Sequence, residues 1–169
     1  MNKEKLLIES LIQTGCYYDI NKINRIISNY HLPQKKIRKL ANDNNVYLDW
    51  KCISRNQRLS CEFIYDFSDK VDWDSISRHQ TISETYIRLF KNKVNWHLVS
   101  RYQTLSEDFI LEFSDRVDWE MITRYQSLSE DFILNNYRKV VWYWIINDSA
   151  NKYSKDFIEN FKKKVGWYK

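Results

Sequence analysis

Arg55, Arg78, Arg101 and Arg124 recur every 23 residues, each two positions ahead of a glutamine in the parallel column Gln57, Gln80, Gln103 and Gln126. A guanidinium carries its N–H donors in a planar fork that matches carboxylate and phosphate geometry. A row of them, one per repeat, is a candidate contact for phosphate or an acidic partner. Two basic clusters could serve the same chemistry: Lys35, Lys36 and Lys39, and Lys162, Lys163 and Lys164. Beside the constant arginines the sequence varies. Asn56, His79, Tyr102 and Tyr125 fill one column, and Lys51, Asp74, His97, Glu120 and Tyr143 another. A third column, Cys52, Ser75, Leu98, Met121 and Trp144, ends in large apolar residues, and an exposed apolar row marks a binding surface. Variation on a constant frame suits recognition of one particular partner. The candidate protein contacts are therefore Leu98, Met121, Trp144, Tyr102, Tyr125, Tyr143, His79 and Glu120.

Catalytic chemistry finds little support. His31, His79 and His97 lack a ligand spacing such as H-E-x-x-H, and there is no Gly-rich phosphate loop or G-x-S-x-G elbow. Cys16, Cys52 and Cys61 are odd in number and lack C-x-x-C spacing, so neither a disulfide framework nor a zinc site is indicated. A pairing of Cys52 with His79 across repeats has no spacing behind it. The expectation is a non-enzymatic protein without metal or cofactor, in a reducing, cytoplasmic compartment. Charge interrupts the apolar positions of Met1 to Gly15, so no secretory core is expected there. The longest apolar run, Val140 to Ile146, falls far short of the roughly 20 residues a membrane span requires.

The elements that must position these residues follow from the repeat. Trp50, Trp73, Trp96, Trp119 and Trp142 stand 23 apart, and Trp167 follows after 25. Such self-similarity is the signature of a repeat architecture. Each repeat holds two helix starts. Asp49, Asp72, Asn95 and Asp118 precede the tryptophans as N-caps of a helix A, and Val71 with Ile76, Val94 with Val99 and Val117 with Ile122 form hydrophobic staples. Ser60, Ser83, Ser106 and Ser129 cap a helix B, followed by acidic residues where the helix dipole favours them. This predicts a helix A of about two turns and a longer helix B of about three. Neither can bury its apolar stripe alone, so the repeats must stack as an all-α solenoid. Two glycines and one proline in 169 residues fit helices joined by short polar turns.

Helical geometry then separates the columns. With tryptophan and the isoleucine three residues later facing the core, the arginines project almost opposite, while the glutamines point inward. The plain role of the arginines is to complement the C-termini of the A helices, with Asp74–Arg78 and Glu120–Arg124 as i,i+4 pairs. Direct contact with an acidic partner is the alternative. The glutamines are expected to form a hydrogen-bond ladder at the A-to-B turn, and the tryptophans to lie in the core. The apolar column sits on a flank, where it either forms a patch or packs against the neighbouring A helix.

The columns W-x-x-I-S-R-x-Q-x-L-S-E-D-F-I, as in Trp96 to Ile110, resemble short tandem helical repeats of giant DNA viruses, phages and AT-rich microbes. The likeness covers roughly Leu48 to Lys169, with Thr123 in place of serine, Asn147 in place of arginine and an Asn-rich insertion as departures. The resemblance implies an interaction scaffold, such as an adaptor or inhibitor of a host defence system. It implies no catalytic residue. Residues 1–47 read as a helical cap, Lys3 to Gln13, with a degenerate repeat, Asn21 to Asn45, and residues 48–169 as the tandem array in one continuous domain.

Charge weighs on the choice of partner. Residues 1–48 hold 8 basic and 4 acidic side chains, residues 49–136 hold 11 and 15, and residues 137–169 hold 8 and 3. A groove that tracks phosphates should be positive throughout, whereas the regular array is acidic and only the ends are basic. Another protein is thus the expected partner. Nucleic acid or ribonucleoprotein, held by the basic ends and the arginine column, is the alternative, and self-association near Trp167 and Tyr168 is a further expectation.

Overall fold

The computed structural model describes residues 20–43, 46–147 and 153–166, which are helical with short turns and contain no strand. The expected cap helix Lys3 to Gln13, the insertion after Asn147, and Trp167 with Tyr168 lie outside the described residues. The chain divides into two compact units, Met1–Gln80 and Thr81–Lys169.

The first unit contains α1 (Ile20–Asn29), α2 (Gln34–Ala41), α3 (Trp50–Asn56), α4 (Cys61–Asp66) and α5 (Trp73–His79). The second contains α6 (Glu84–Leu89), α7 (Trp96–Tyr102), α8 (Glu107–Glu112), α9 (Trp119–Tyr125), α10 (Glu130–Asn135), α11 (Trp142–Asn147) and α12 (Lys155–Lys164). Helix A of one repeat packs on helix A of the next: α1 on α3 and α3 on α5, then α7 on α9 and α9 on α11. The all-α, two-helix repeat read from the sequence is the architecture observed.

Side-chain caps start most of the helices, although Ser83, expected to cap α6, makes no side-chain cap hydrogen bond. Asp49, Asp72, Asn95 and Asp118 accept from the amides of Cys52, Ser75, Leu98 and Met121, respectively, and Ser60, Ser106 and Ser129 cap their B helices. Helix B is shorter than expected. In the inner repeats it runs six residues, no longer than helix A, and bends away at Phe67, Phe90 and Phe113. A Ser, Asp or Asn stands within two residues of each break, where its side chain competes with the helical backbone. In α12 the equivalent stretch is Phe161–Lys162–Lys163–Lys164, free of such residues, and the helix continues for 10 residues.

Burial follows the predicted columns with one correction. Ile27, Ile37, Ile53, Phe63 and Ile76 are fully buried in the first unit, and Ile87, Val99, Phe109, Ile110, Ile122 and Ile133 in the second. Each such side chain contributes about 1.5–3 kcal/mol. The tryptophans, expected in the core, are half-buried at its margin. Trp73, Trp96, Trp119 and Trp142 donate their indole N–H to the carbonyl five residues earlier, at 3.0, 2.9, 2.9 and 2.9 Å. An indole needs a polar partner for its N–H, which the turn supplies only at the edge of the apolar layer. Its ring stacks on the Phe of helix B, as Trp96 does on Phe109, and cations cover it, as Lys139 does on Trp119 at 5.3 Å.

The glutamine ladder forms and reaches from repeat to repeat. Gln80 donates to the Ser54 and Gln57 carbonyls at 2.8 and 2.7 Å and accepts from the Leu59 amide at 3.0 Å. Gln126 does the same to Ser100, Gln103 and Leu105, and Gln57 to Ile27, Tyr30 and Leu32. The contacts of Gln57 give α1 and α2 the register of a true repeat, despite their degenerate sequence. A second ladder ties each repeat to the next start: Ser54, Ser100 and Thr123 accept from the amides of Asp72, Asp118 and Val141. A third runs along helix B, where Glu84, Glu107 and Glu130 accept from the amides of Ser106, Ser129 and Ser154.

Candidate interaction surface

Helices α7, α9 and α11 of the second unit present the clearest candidate. The caps Asn95 and Asp118 fix where α7 and α9 begin, and the inward Gln103 and Gln126 end them, so Arg101–Tyr102 and Arg124–Tyr125 occupy equivalent last turns. There the side chains interleave. The Arg101 guanidinium lies 5.0 Å from the Tyr102 ring centroid and 4.8 Å from that of Tyr125. Arg124 lies 5.1 Å from Tyr125 and 4.0 Å from Trp144. Tyr143 meets Trp144 edge to face at 4.9 Å. The result is one continuous row in which Tyr102, Arg101, Tyr125, Arg124 and Trp144 alternate ring and cation and Tyr143 closes the end. Tyr102, Tyr125 and Tyr143 in it remain 38%, 40% and 57% exposed.

The expected sites thus merge in part. Arg101 and Arg124, read as anion contacts, and Tyr102, Tyr125, Tyr143 and Trp144, read as protein contacts, belong to a single surface. Met121 does not join it: this residue is buried, at 9% exposure, as is Ser75 in the same column. Leu98, Trp144 and Cys52 are half-buried. The free apolar row expected from Leu98, Met121 and Trp144 is therefore corrected, because successive A helices pack on each other through this flank. Glu120 is exposed one turn before Arg124.

In the first unit, His79, Arg55 and Arg78 are exposed, without the tyrosines that organise the second. Burial, followed by the Arg78 and Arg55 charges, holds the His79 imidazole below its usual value. Arg55 lines an open polar cleft of about 360 Å³ with Ser28, Asn29, Tyr30, His31 and Asn56. Cys52 is held by Ser28 at 2.9 Å and Asn56 at 3.3 Å. The basic clusters lie on α2, where Lys35 and Lys39 are exposed and Lys36 is half-buried, and on α12, where Lys163 and Lys164 are exposed and Lys162 is half-buried. Lys164 donates to the Leu134 carbonyl at 3.0 Å and lies over Tyr137 at 5.0 Å, so it also holds the last repeat together.

In the sequence His97 is one member of a variable column and carries no ligand spacing. It pairs with Asp118 of the next repeat at 2.7 Å. Burial pushes the Asp118 carboxyl up, but the His97 hydrogen bond and the Met121 and Glu120 amides outweigh it and leave the group below its usual range. The one sequence signal for the interleaving is Arg-Tyr-Gln, which occurs at both Arg101–Gln103 and Arg124–Gln126 and separates these repeats from Arg-Asn-Gln and Arg-His-Gln before them.

Among the described residues no group of three His, Cys, Asp or Glu side chains could hold a metal ion, and no helix is long and apolar enough to cross a membrane. No match to the chain was found among protein-family models, curated proteins or solved structures.

Proposed function

We propose that this chain is a non-enzymatic interaction module that binds another protein through the Arg–aromatic row on α7, α9 and α11. The observation that carries the reading is the row itself: Arg101, Arg124, Tyr125 and Trp144 in mutual contact, with three tyrosines still open to solvent. Arg, Tyr and Trp dominate the energetics of protein interfaces, and side chains already held in place lose little entropy on binding. A single-stranded nucleic acid would instead need open ring faces on which to stack its bases. Guanidiniums at 4.0–5.1 Å occupy ring faces in this row. Given the resemblance to viral and phage repeats, the partner would be a host protein that the chain adapts or inhibits.

The test is affinity capture with the whole chain beside a Tyr102→Ala/Tyr125→Ala variant, across a salt series. Loss of a captured protein with the variant, and little change with salt, supports the reading. Capture of nucleic acid that weakens steeply with salt contradicts it.

A further inference from the structure

We infer that the polar cleft between the C-terminal ends of α1 and α3, within the first unit, binds the phosphate group of a phosphomonoester. The cleft measures about 360 Å³ and is lined by Ser28, Asn29, Tyr30, His31, Arg55 and Asn56. The repeat explains its place. Gln57 bonds the Ile27 and Tyr30 carbonyls and the Leu32 amide, as Gln80 bonds the Ser54 and Gln57 carbonyls and the Leu59 amide. In that register Ser28 stands where the later repeats have Arg, and Asn29 where two of them have Tyr. Asn56 is short in the same tyrosine column. In the second unit Arg101 lies over the Tyr102 and Tyr125 rings, whereas Ser28, Asn29 and Asn56 leave a hollow beside Arg55.

Donors, charge and size select the ligand. Among the described residues no hydrogen bond, ion pair or ring contact engages the Arg55 guanidinium, the His31 imidazole or the Tyr30 hydroxyl. The guanidinium fork matches phosphate in two bonds, and the other two groups offer donors to a ligand with three terminal oxygens, one more than a carboxylate presents. The carbonyls that would repel an anion at the end of α1 are spent: Arg25 accepts from the Asn29 side chain at 2.7 Å, Ile26 from the Tyr30 amide at 2.9 Å, and Ile27 and Tyr30 from Gln57. Helices α1, α2 and α3 hold eight lysines and arginines and no carboxylate. The acidic groups on the elements around them are turned to other work or stand away. Asp66 of α4 pairs with Arg38. Asp49 caps the opposite end of α3, about 9 Å along the axis from Arg55. Asp74, in the first turn of α5, lies about 6 Å back from the level of Arg55 and one helix spacing of about 8–10 Å to the side. The volume falls at the small end of the roughly 300–1,000 Å³ of ligand sites, and the polar lining offers an apolar ligand nothing. One arginine in a bounded cleft suits a single phosphate, whereas nucleic acid spreads its contacts over a run of them.

The experiment follows the backbone amide NMR signals of the full, isotope-labelled chain. The probes are inorganic phosphate, O-phosphoserine, and a short phosphoserine peptide beside its unphosphorylated form, with acetate and chloride as controls at matched ionic strength. The phosphate probes should shift the amides of Asn29, His31, Arg55 and Asn56 saturably, at millimolar concentration. Arg55→Gln should weaken binding about tenfold, the scale of one charge-assisted fork, and Arg55→Lys, which keeps the charge without the fork, should weaken it less. Tyr102→Ala/Tyr125→Ala should leave it within about twofold, which keeps this site and the Arg–aromatic row separately testable. A peptide that binds severalfold more tightly than phosphoserine identifies a phosphorylated side chain as the source of the group, and equal affinity identifies a small phosphate compound; either supports the site. Shifts that acetate or chloride reproduce, no saturable shift, unchanged affinity in Arg55→Gln, or tighter binding of oligouridylate at the same amides overturns it. An unchanged urea midpoint shows that the glutamine variant is folded. Should it not be, the lysine variant decides, and affinity equal to that of the wild type overturns the proposal.

Discussion

Replacing Gln126 by methionine removes one rung of the ladder that joins the repeats while keeping side-chain length and volume. The wild-type carboxamide is 5% exposed, accepts from the Leu105 amide at 3.1 Å, and donates to the Ser100 and Gln103 carbonyls at 2.8 and 2.7 Å. Methionine strands a buried N–H, which costs about 1–3 kcal/mol, and each carbonyl adds about 0.5–1.5 kcal/mol. The expected loss is about 2–6 kcal/mol, a large part of the 5–15 kcal/mol that stabilises a typical domain. Urea titration followed by far-UV circular dichroism measures it, with Ser127→Ala, at an exposed neighbouring position, as a control expected to stay within about 0.5 kcal/mol. A loss below about 1 kcal/mol for Gln126→Met would refute the argument that the glutamines, rather than apolar contacts alone, fix the repeat-to-repeat register.

Thr123 accepts from the Val141 amide at 3.1 Å, so Thr123→Val should cost about 1–3 kcal/mol in the same titration, whereas Thr123→Ser, which restores the residue of the other repeats, keeps the bond. Asp118→Ala removes the N-cap of α9 and should cost about 0.5–2 kcal/mol. The depressed Asp118 carboxyl contributes stability that is complete above the ordinary carboxylate range and is lost as pH falls through its lower folded value, so the acid limb of thermal stability should flatten in Asp118→Ala. Arg101→Gln/Arg124→Gln, at a half-buried and an exposed position, should change the stability measured by urea titration by less than about 1 kcal/mol, which separates a binding role from a structural one.

The repeat and its helices were legible because local rules agreed with one another. Asp or Asn before Trp and Ser before the acidic first turn announce most of the starts, and the Ile and Phe columns fall on the faces that are buried. The length of helix B is not legible in the sequence, because its apolar positions continue to Val71, Val94 and Val117 through a turn, where Ser, Asp and Asn divert the backbone. Periodicity marks which residues go inside and not whether the path between them is helical. The burial of Met121 is hidden for a related reason: a helical wheel measures angles about one axis, and burial of this flank comes from a second helix. The Arg–aromatic row was legible only as separate columns. Residues in different repeats meet there, and no count along a single helix could bring Arg101 onto Tyr125 or Arg124 onto Trp144.

Photo-crosslinking tests the proposed surface most directly. A photoreactive residue placed at Glu120, exposed on α9 beside the row, should give an adduct with the captured partner, and one at Leu111, 45% exposed on α8, should not. Adducts from Leu111 with none from Glu120 would place binding on the B helices and contradict the account.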